Sequence, residues 1–337
     1  LKTPQFWNTK NLIAYFLWPI SLLYFLVHSF NFWRKNPQKI STPIICIGNL
    51  VAGGAGKTPV ALAIGEVLRE SGVNFAYLSS GYGGKVKDFT LVDQDHKAID
   101  VGDEPLLLAK IASTFVAKNR VFGAKKISEM PEKKLILMDD GLQNSALKKD
   151  LVILVIDGKY GFGNGFFLPA GALREPIKSG IKKADVVVIV GEDRFNISDE
   201  FCANKKVLKA KIKIFDSEKF NQKSVLAFCG IGRPEKFFDS LKETGAKIVE
   251  KYSYADHHQY KESEIEQMLD SAKKNDLMLV TTQKDWVRLA PKHQNKIDYL
   301  KIKMEFEDLD YLKNQLISLS AGLIVQKNLK NNKLTNE

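Results

Sequence analysis

The segment IGNLVAGGAGKTPVALAIGEVL, from Ile47 to Leu68, constrains this chain more than any other stretch. An apolar run, PIICIG (Pro43 to Gly48), enters a turn of closely spaced glycines and leaves it as a helix expected from Pro59 to Glu70. Strand, glycine turn and helix in that order aim backbone N–H groups and the positive helix end at one point, where an anion is held. Gly53, Gly54, Ala55 and Gly56 form the candidate cradle. Lys57 can neutralise phosphate oxygens there, and Thr58 can offer its hydroxyl to Mg2+. Pro59 is tolerated because the first helical turn has no use for its N–H. One position departs from the G-x-x-x-x-G-K-T pattern: Val51 stands where its first glycine belongs. The three remaining glycines still permit close backbone approach.

A phosphate loop of this kind needs a metal partner at the end of a neighbouring strand. KLILMDDGLQN supplies one, an apolar run ending in Asp139 and Asp140, with Gly141 permitting the turn. Carboxylates placed there hold Mg2+ directly or through water and bridge it to nucleotide oxygens. Guanine recognition is disfavoured: TTQKDW has Lys284 and Asp285 adjacent rather than one residue apart, and DDG is one residue short of a D-x-x-G switch. Two more candidates are Asp103 in VGDEP and the Asp256, His257, His258 run in YADHHQY. A carboxylate supported by an imidazole can remove the proton of an attacking hydroxyl. The same residues also read as a helix start, with Asp103 as cap and Pro105 in the first turn, and as a polar surface histidine pair.

Beyond residue 40 strand-like and helical stretches alternate, the pattern of an α/β protein. NFAYLS (Asn74 to Ser79), KLILMDD (Lys134 to Asp140), LVILVID (Leu151 to Asp157) and ADVVVIVG (Ala184 to Gly191) are near-continuous apolar runs, suited to a parallel sheet covered on both faces. Phe195 to Lys223 is more polar and weakly patterned. A second cycle follows: SVLAFCGIG, a helix from Pro234, AKIVEKYS, a helix from Glu262, LMLVTT, a short helix from Asp285, then DYLKIKMEF and a last helix. The expected division is an apolar N-terminal helix over 1–40, a nucleotide-loop unit over 41–220, a smaller α/β unit over 221–325, and a frayed tail over 326–337.

The N-terminal segment carries no Asp, Glu, Lys or Arg from Asn11 to Trp33. About 23 helical residues reach roughly 35 Å, against a hydrocarbon layer ~30 Å thick. Lys2 and Lys10 precede it, Arg34, Lys35 and Lys39 follow it, and Trp7, Trp18 and Trp33 sit where interfacial rings could. The segment can attach to a membrane by spanning it or lying in its interface, be a core helix, or be a cleaved signal peptide, which the lack of small residues after it disfavours; Pro19 and His28 weaken the span. The formal charge of +11 is nearly all lysine, which attracts anionic lipid, phosphorylated substrates or nucleic acid without choosing among them. No aromatic-studded basic motif points to nucleic acid. Cys46, Cys202 and Cys229 are dispersed and odd in number, so neither a disulfide framework nor a zinc cluster is expected, and the chain reads as one kept reduced.

GNLVAGGAGKTPV, GYGGK, VGDEP, DDGLQ, GNGFFLPAGALREP, GIGRP, DHH and TTQKDWVRL occur in this order, and with them the chain resembles the tetraacyldisaccharide 4′-kinases, the lipid A 4′-kinases of Gram-negative bacteria. The resemblance covers nearly the whole chain and includes the missing first glycine, so Val51 is what it leads one to expect. It implies an α/β fold of two α/β/α units of the P-loop or Rossmann type, with mostly parallel sheets, an N-terminal membrane helix and the active site in the cleft between the units. It implies ATP-dependent phosphorylation of the 4′-hydroxyl of a tetraacylated glucosamine disaccharide 1-phosphate. The enzyme would be peripheral or singly anchored at the cytoplasmic face of the inner membrane, contacting its lipid substrate and membrane lipid, with no nucleic acid and no obligate protein partner. By motif, Lys57 and Thr58 would grip phosphates and metal, Asp139 and Asp140 would take Mg2+, and Asp103 with His257 would form the base dyad. Arg174 of ALREP would meet phosphate, with Glu104 beside the dyad. Two positions depart from the family pattern: Ser80 before GYG, where arginine is usual, and Asn144 after DDGLQ, where histidine is usual. Rival readings are a membrane-bound deviant-loop ATPase, which would carry lysine at Ala52, and a silent lipid-binding protein.

Overall fold

The computed structural model describes residues 3–33 and 36–322, with side chains described up to 27 and again from 36. The tail expected to fray, together with Lys2, Arg34, Lys35 and the Trp33 side chain, lies outside the described residues.

Helix α1 (Leu12–Trp33) opens the chain. One stripe of it docks on the GNGFFLPAG loop: Ser21 Oγ donates to Phe167 O and accepts from Ala170 N, both at 2.9 Å, while Phe25 stacks on Phe167 with ring centroids 4.8 Å apart. Just before the helix, Trp7 Nε1 donates to Pro169 O at 2.9 Å, so this ring is tied to protein. The opposite stripe is apolar and uncovered, with Leu12 88%, Phe16 80% and Leu23 62% exposed. A core helix is therefore ruled out. A spanning helix is not found either: among the described residues no helix is long and apolar enough to cross a membrane.

The first half of the chain continues with β1 (Ile44–Gly48), α2 (Lys57–Glu70), β2 (Phe75–Ser79), β3 (Thr90–Leu91), α3 (Ala98–Val101), α4 (Asp103–Leu108), β4 (Thr114–Val116), α5 (Arg120–Ser128) and β5 (Leu135–Asp139). It is completed by β6 (Leu151–Asp157), α6 (Ile177–Lys183), β7 (Val186–Val190), α7 (Ile197–Cys202) and β8 (Lys206–Phe215). The second half has β9 (Ser224–Cys229), α8 (Pro234–Glu243), β10 (Lys247–Ser253), α9 (Glu262–Lys274), β11 (Met278–Thr282), α10 (Gln283–Trp286), α11 (Pro291–Gln294), β12 (Asp298–Phe306) and α12 (Asp310–Ser320).

Among the described residues all strands join one 12-stranded sheet in the order β10-β9-β11-β12-β8-β7-β6-β1-β5-β2-β4-β3. Its strands are parallel except at two places, the β12–β8 pair and the short β3 edge. Both faces are covered, as the apolar runs require. On β1, Ile44 and Cys46 face one core and Ile45 and Ile47 the other; on β5, Ile136 and Met138 oppose Leu135 and Leu137. Helix α2 packs on the second face with α12, which returns from the far end of the chain to lay Leu312 and Leu316 beside Val60 and Ile64. The second half repeats the plan, with Phe237 and Phe238 of α8 on one side of β9 and Ile265 and Met268 of α9 on the other.

The polar region expected to be weakly patterned holds β8, which pairs antiparallel with β12 from Ala210↔Phe306 to Phe215↔Lys301 and so carries the sheet from one half to the other. Its lysines at 209, 211 and 213 are exposed, while Leu208 and Ala210 are buried.

Candidate active site

Strand β1 brings the glycine turn to the carboxyl edge of the sheet, directly beside β5, with Ile47 in register with Asp139. This adjacency places the DD pair next to the loop. Gly48 is required at the strand end, because a Cβ there would sit 2.4 Å from Leu142 Cβ of the DDGLQ turn. Gly56 caps α2 with φ of 90°, a left-handed conformation natural to glycine, and the helix starts at Lys57, two residues earlier than expected.

Val51 has a structural reason. It forms an isolated antiparallel bridge with Leu173 and is buried, while Ala52 N donates to Ala172 O at 2.7 Å and Arg174 N donates to Leu50 O at 2.8 Å. An extended, side-chain-packed residue is needed there, which disfavours glycine. The same bridge fixes the backbone of Arg174, whose Nη1 then reaches both oxygens of Asp140 at 3.1 and 3.2 Å and Gln143 Oε1 at 3.4 Å. Lys57 Nζ lies 3.6 Å from the same Asp140 carboxylate and 3.1 Å from Asn49 Oδ1. Lys57, Asp140 and Arg174 are thus one cluster. Burial pushes the Asp140 carboxyl up, but Lys57 and Arg174 outweigh that and hold it below the ordinary range.

Asp139 is different. It is buried, its Oδ1 has no hydrogen-bond partner, and burial, with the Glu104 and Asp140 charges beside it, pushes its carboxyl up to about 7 against the pull of Lys57 and Arg120.

The VGDEP residues meet the second half of the chain. His257 Nδ1 lies 3.1 Å from Asp103 Oδ1. Asp103 Oδ2 accepts from Arg288 Nε at 3.1 Å and also from Arg288 Nη2, with Lys284 Nζ 3.6 Å away. Burial pushes the Asp103 carboxyl up, but Lys284, His257 and Arg288 together hold it well below the usual carboxylate range. The capping role open to Asp103 from sequence is not found: it is the first residue of α4, Gly102 is the cap residue, and the carboxylate is spent on the second half. His257 has φ of 60° and packs its ring edge-on to Tyr82, with centroids 5.1 Å apart. His258, by contrast, bonds Glu264 at 3.0 Å and stacks on Tyr254, a packing role.

Several residues that line this cluster carried no assignment in the sequence. Arg288, Lys284 and Asp285 of TTQKDWVRL build a buried network: Arg288 Nη1 donates to Asp285 Oδ1 at 2.8 Å, and Lys284 Nζ donates to Glu104 at 3.1 Å. Arg233 of GIGRP, with Lys236, pairs with buried Asp157 at the end of β6, and Lys236 Nζ also donates to Gly54 O of the loop at 3.2 Å. The recurring motif letters were the available signal; their partners were not.

Residues 13–320 match the family model described as tetraacyldisaccharide-1-P 4′-kinase. The chain belongs to the tetraacyldisaccharide 4′-kinase family. It is 40% identical to the tetraacyldisaccharide 4′-kinase of Rhodospirillum rubrum over 91% of this chain and 95% of that one. The identity to that of Rhodospirillum centenum is 39%, over 96% and 98%. Its fold is similar to the crystal structure of LpxK from Aquifex aeolicus, an "apo" form in complex with ATP, at a TM-score of 0.73 and 27% identity, covering 91% of this chain and 99% of that one. As a member of this family the chain is a kinase with a mixed α/β fold.

Proposed function

We propose that this kinase transfers the γ-phosphate of ATP to the 4′-hydroxyl of a tetraacyldisaccharide 1-phosphate, with His257 Nε2 accepting the hydroxyl proton. The observation that carries the reading is the 3.1 Å contact of His257 Nδ1 with an Asp103 carboxylate that Arg288 locks in place. A carboxylate so held accepts the Nδ1–H, which leaves the lone pair on Nε2, where Lys284 Nζ lies 3.5 Å away and must give way to the substrate hydroxyl. Lys57 and the amides of Gly53 to Thr58 would cradle the ATP phosphates, and Arg174 would balance charge on the transferring group.

The buried, unpartnered Asp139 Oδ1 fits a divalent cation, which supplies what that carboxylate lacks. Thr58, Asp139 and Asp140 would hold Mg2+, and the ion would neutralise charge between the β- and γ-phosphates. Residues 41–220 and 221–325 are read as two units whose approach assembles Asp103 and His257. The uncovered apolar stripe of α1 supports attachment within a membrane interface, at the cytoplasmic face of the inner membrane where the acceptor's acyl chains and ATP can both be reached.

The test incubates the protein in detergent micelles with labelled ATP and the disaccharide 1-phosphate. A bisphosphorylated lipid is expected. His257→Ala and Asp103→Asn should each lower kcat by about 10²-fold or more while leaving ATP binding intact. ATP hydrolysis without a phosphorylated lipid would sink the assignment, and undiminished turnover in His257→Ala would sink the role of the dyad.

A further inference from the structure

Outside the nucleotide loop, one cluster has the composition of a metal site and no function assigned to it by anything above. Glu262 and Glu266 stand one turn apart on the same face of α9, and His293 on α11 turns toward them. One ligand atom from each of the three lies within 4.8 Å of the others. The two carboxylates are exposed, and alone they would mean nothing.

The histidine makes the difference. His293 is 3% exposed, yet neither Nδ1 nor Nε2 has a hydrogen-bond partner, and Nδ1 points at Glu266 Oε1 from 3.7 Å. A buried imidazole nitrogen without a partner is costly, so such groups are nearly always satisfied by protein, water or an ion.

We propose that Glu262, Glu266 and His293 bind a first-row divalent transition cation of the Zn2+ type, at a site separate from the one serving phosphoryl transfer. An imidazole with two carboxylates suits such a cation better than Mg2+, whose preference is for all-oxygen sets. Closure to metal–ligand distances of about 2.0–2.2 Å needs only a modest contraction of the three side chains. Lys292 pairs with Glu262 across the same opening. Both partners are more than half exposed, at 58% and 66%, and an ion pair in that setting contributes little, so a cation displaces the ammonium.

The location gives the site a structural effect. α9 begins just after the loop that bears His257, and α11 follows α10, which bears Lys284 and Asp285. Trp286 and Gln294 already fasten α10 to α11: Trp286 Nε1 donates to Gln294 O at 3.2 Å and Gln294 Nε2 donates to Trp286 O at 3.1 Å. A cation bridging α9 to α11 therefore staples the two segments that meet Asp103.

The experiment uses the full chain stripped with chelator, with Zn2+ alone as the probe, and compares the wild type with Glu262→Gln/Glu266→Gln and with His293→Phe. Titration calorimetry should show one more equivalent of Zn2+ on the wild type than on either variant, and Zn2+ should raise the melting temperature of the wild type more than that of either variant. The two glutamates are exposed, so that variant keeps its fold even if His293→Phe does not, and Asp139 and Asp140 are common to all and subtract out. Equal stoichiometry and an equal melting shift in wild type and Glu262→Gln/Glu266→Gln would overturn the site. So would an equivalent that survives His293→Phe in a folded protein, which would mark mere carboxylate binding. Neither readout depends on kinase activity, so the failure of this site and of the proposed reaction are distinguishable.

Discussion

Replacing Arg288 by alanine is the perturbation that most directly tests how the two halves of the chain are held together. The guanidinium is 1% exposed and divides its hydrogen bonds among Asp103, Asp285 and Gly230 O, the last at 2.9 Å. Asp285 keeps Gly230 N, Tyr260 Oη and Thr282 Oγ1 after the change, at 2.9, 2.9 and 2.6 Å. Asp103 keeps only His257 and Lys284 and loses both of its guanidinium hydrogen bonds, so it is the carboxylate that loses most. Removing one partner of a buried ion pair costs about 3–5 kcal/mol. No discount for solvent screening applies, since the Asp103 side chain is 3% exposed. Urea unfolding followed by tryptophan fluorescence should therefore show a loss of about 3–5 kcal/mol at pH 7. Arg288→Lys should fall between, since it keeps the charge and loses the planar fork.

The pH dependence supplies the check on mechanism. Asp103 is depressed in the folded state, so its contribution is fully present above the unfolded carboxyl value of about 3.9 and is lost as pH falls through the lower folded value. In Arg288→Ala the folded value rises, and part of that contribution is missing from the start. Both proteins share the unfolded state, so the gap should be constant near neutrality and narrow only as pH falls below the variant's raised folded value toward the depressed value of the wild type. A loss under about 1 kcal/mol, of the size of an exposed pair, would refute the reasoning. So would a gap that stays the same across the acid range.

Three further outcomes are expected. Val51→Gly restores the standard loop pattern but removes a buried side chain worth about 1.5–3 kcal/mol; melting temperature should fall and ATP affinity should not rise, and tighter binding at unchanged stability would contradict the bridge to Leu173. Phe16→Asp with Leu23→Asp, both changes on the uncovered stripe of α1, should cut association with anionic vesicles at least about tenfold while circular dichroism is unchanged; undiminished flotation would count against interfacial attachment. Gly65→Ala puts a Cβ 1.8 Å from Tyr77 Oη, whose hydroxyl donates to Ala61 O at 2.9 Å. Overpacking of this kind costs about 1–3 kcal/mol, and adding Tyr77→Phe should recover part of it in a thermal melt.

How far the molecule could be read in advance depended on the range of the interactions involved. The parallel strands were legible, because a strand buried on both faces must be apolar throughout, and LVILVID became β6 at the expected residues. The strand β8 also carried a signal, the alternation of Leu208, Ala210 and Ile212 with Lys209, Lys211 and Lys213. A half-solvated antiparallel connector shows only that, and beside the apolar runs it reads as polar. The Asp139 and Asp140 pair was legible in kind, since its strand lies next to β1. The Asp103 environment was not: its partner Arg288 is 185 positions away, and nothing local distinguishes a capping aspartate from one engaged across the sheet.

Two departures from local rules fall where the two halves and the loop meet, and they have connected causes. Asp140 and His257 both adopt left-handed backbone conformations, with φ of 48° and 60°, although neither is glycine. Such residues cost of order 1–3 kcal/mol each unless surrounding contacts over-determine them. Here they are over-determined: Arg174 and Lys57 grip the Asp140 carboxylate, and Asp103 grips the His257 ring. Arg174 in turn is placed by the bridge that needs Val51. The missing glycine, the strained aspartate and the arginine are therefore one device: restoring glycine at 51 should loosen Arg174 before it changes the phosphate cradle itself.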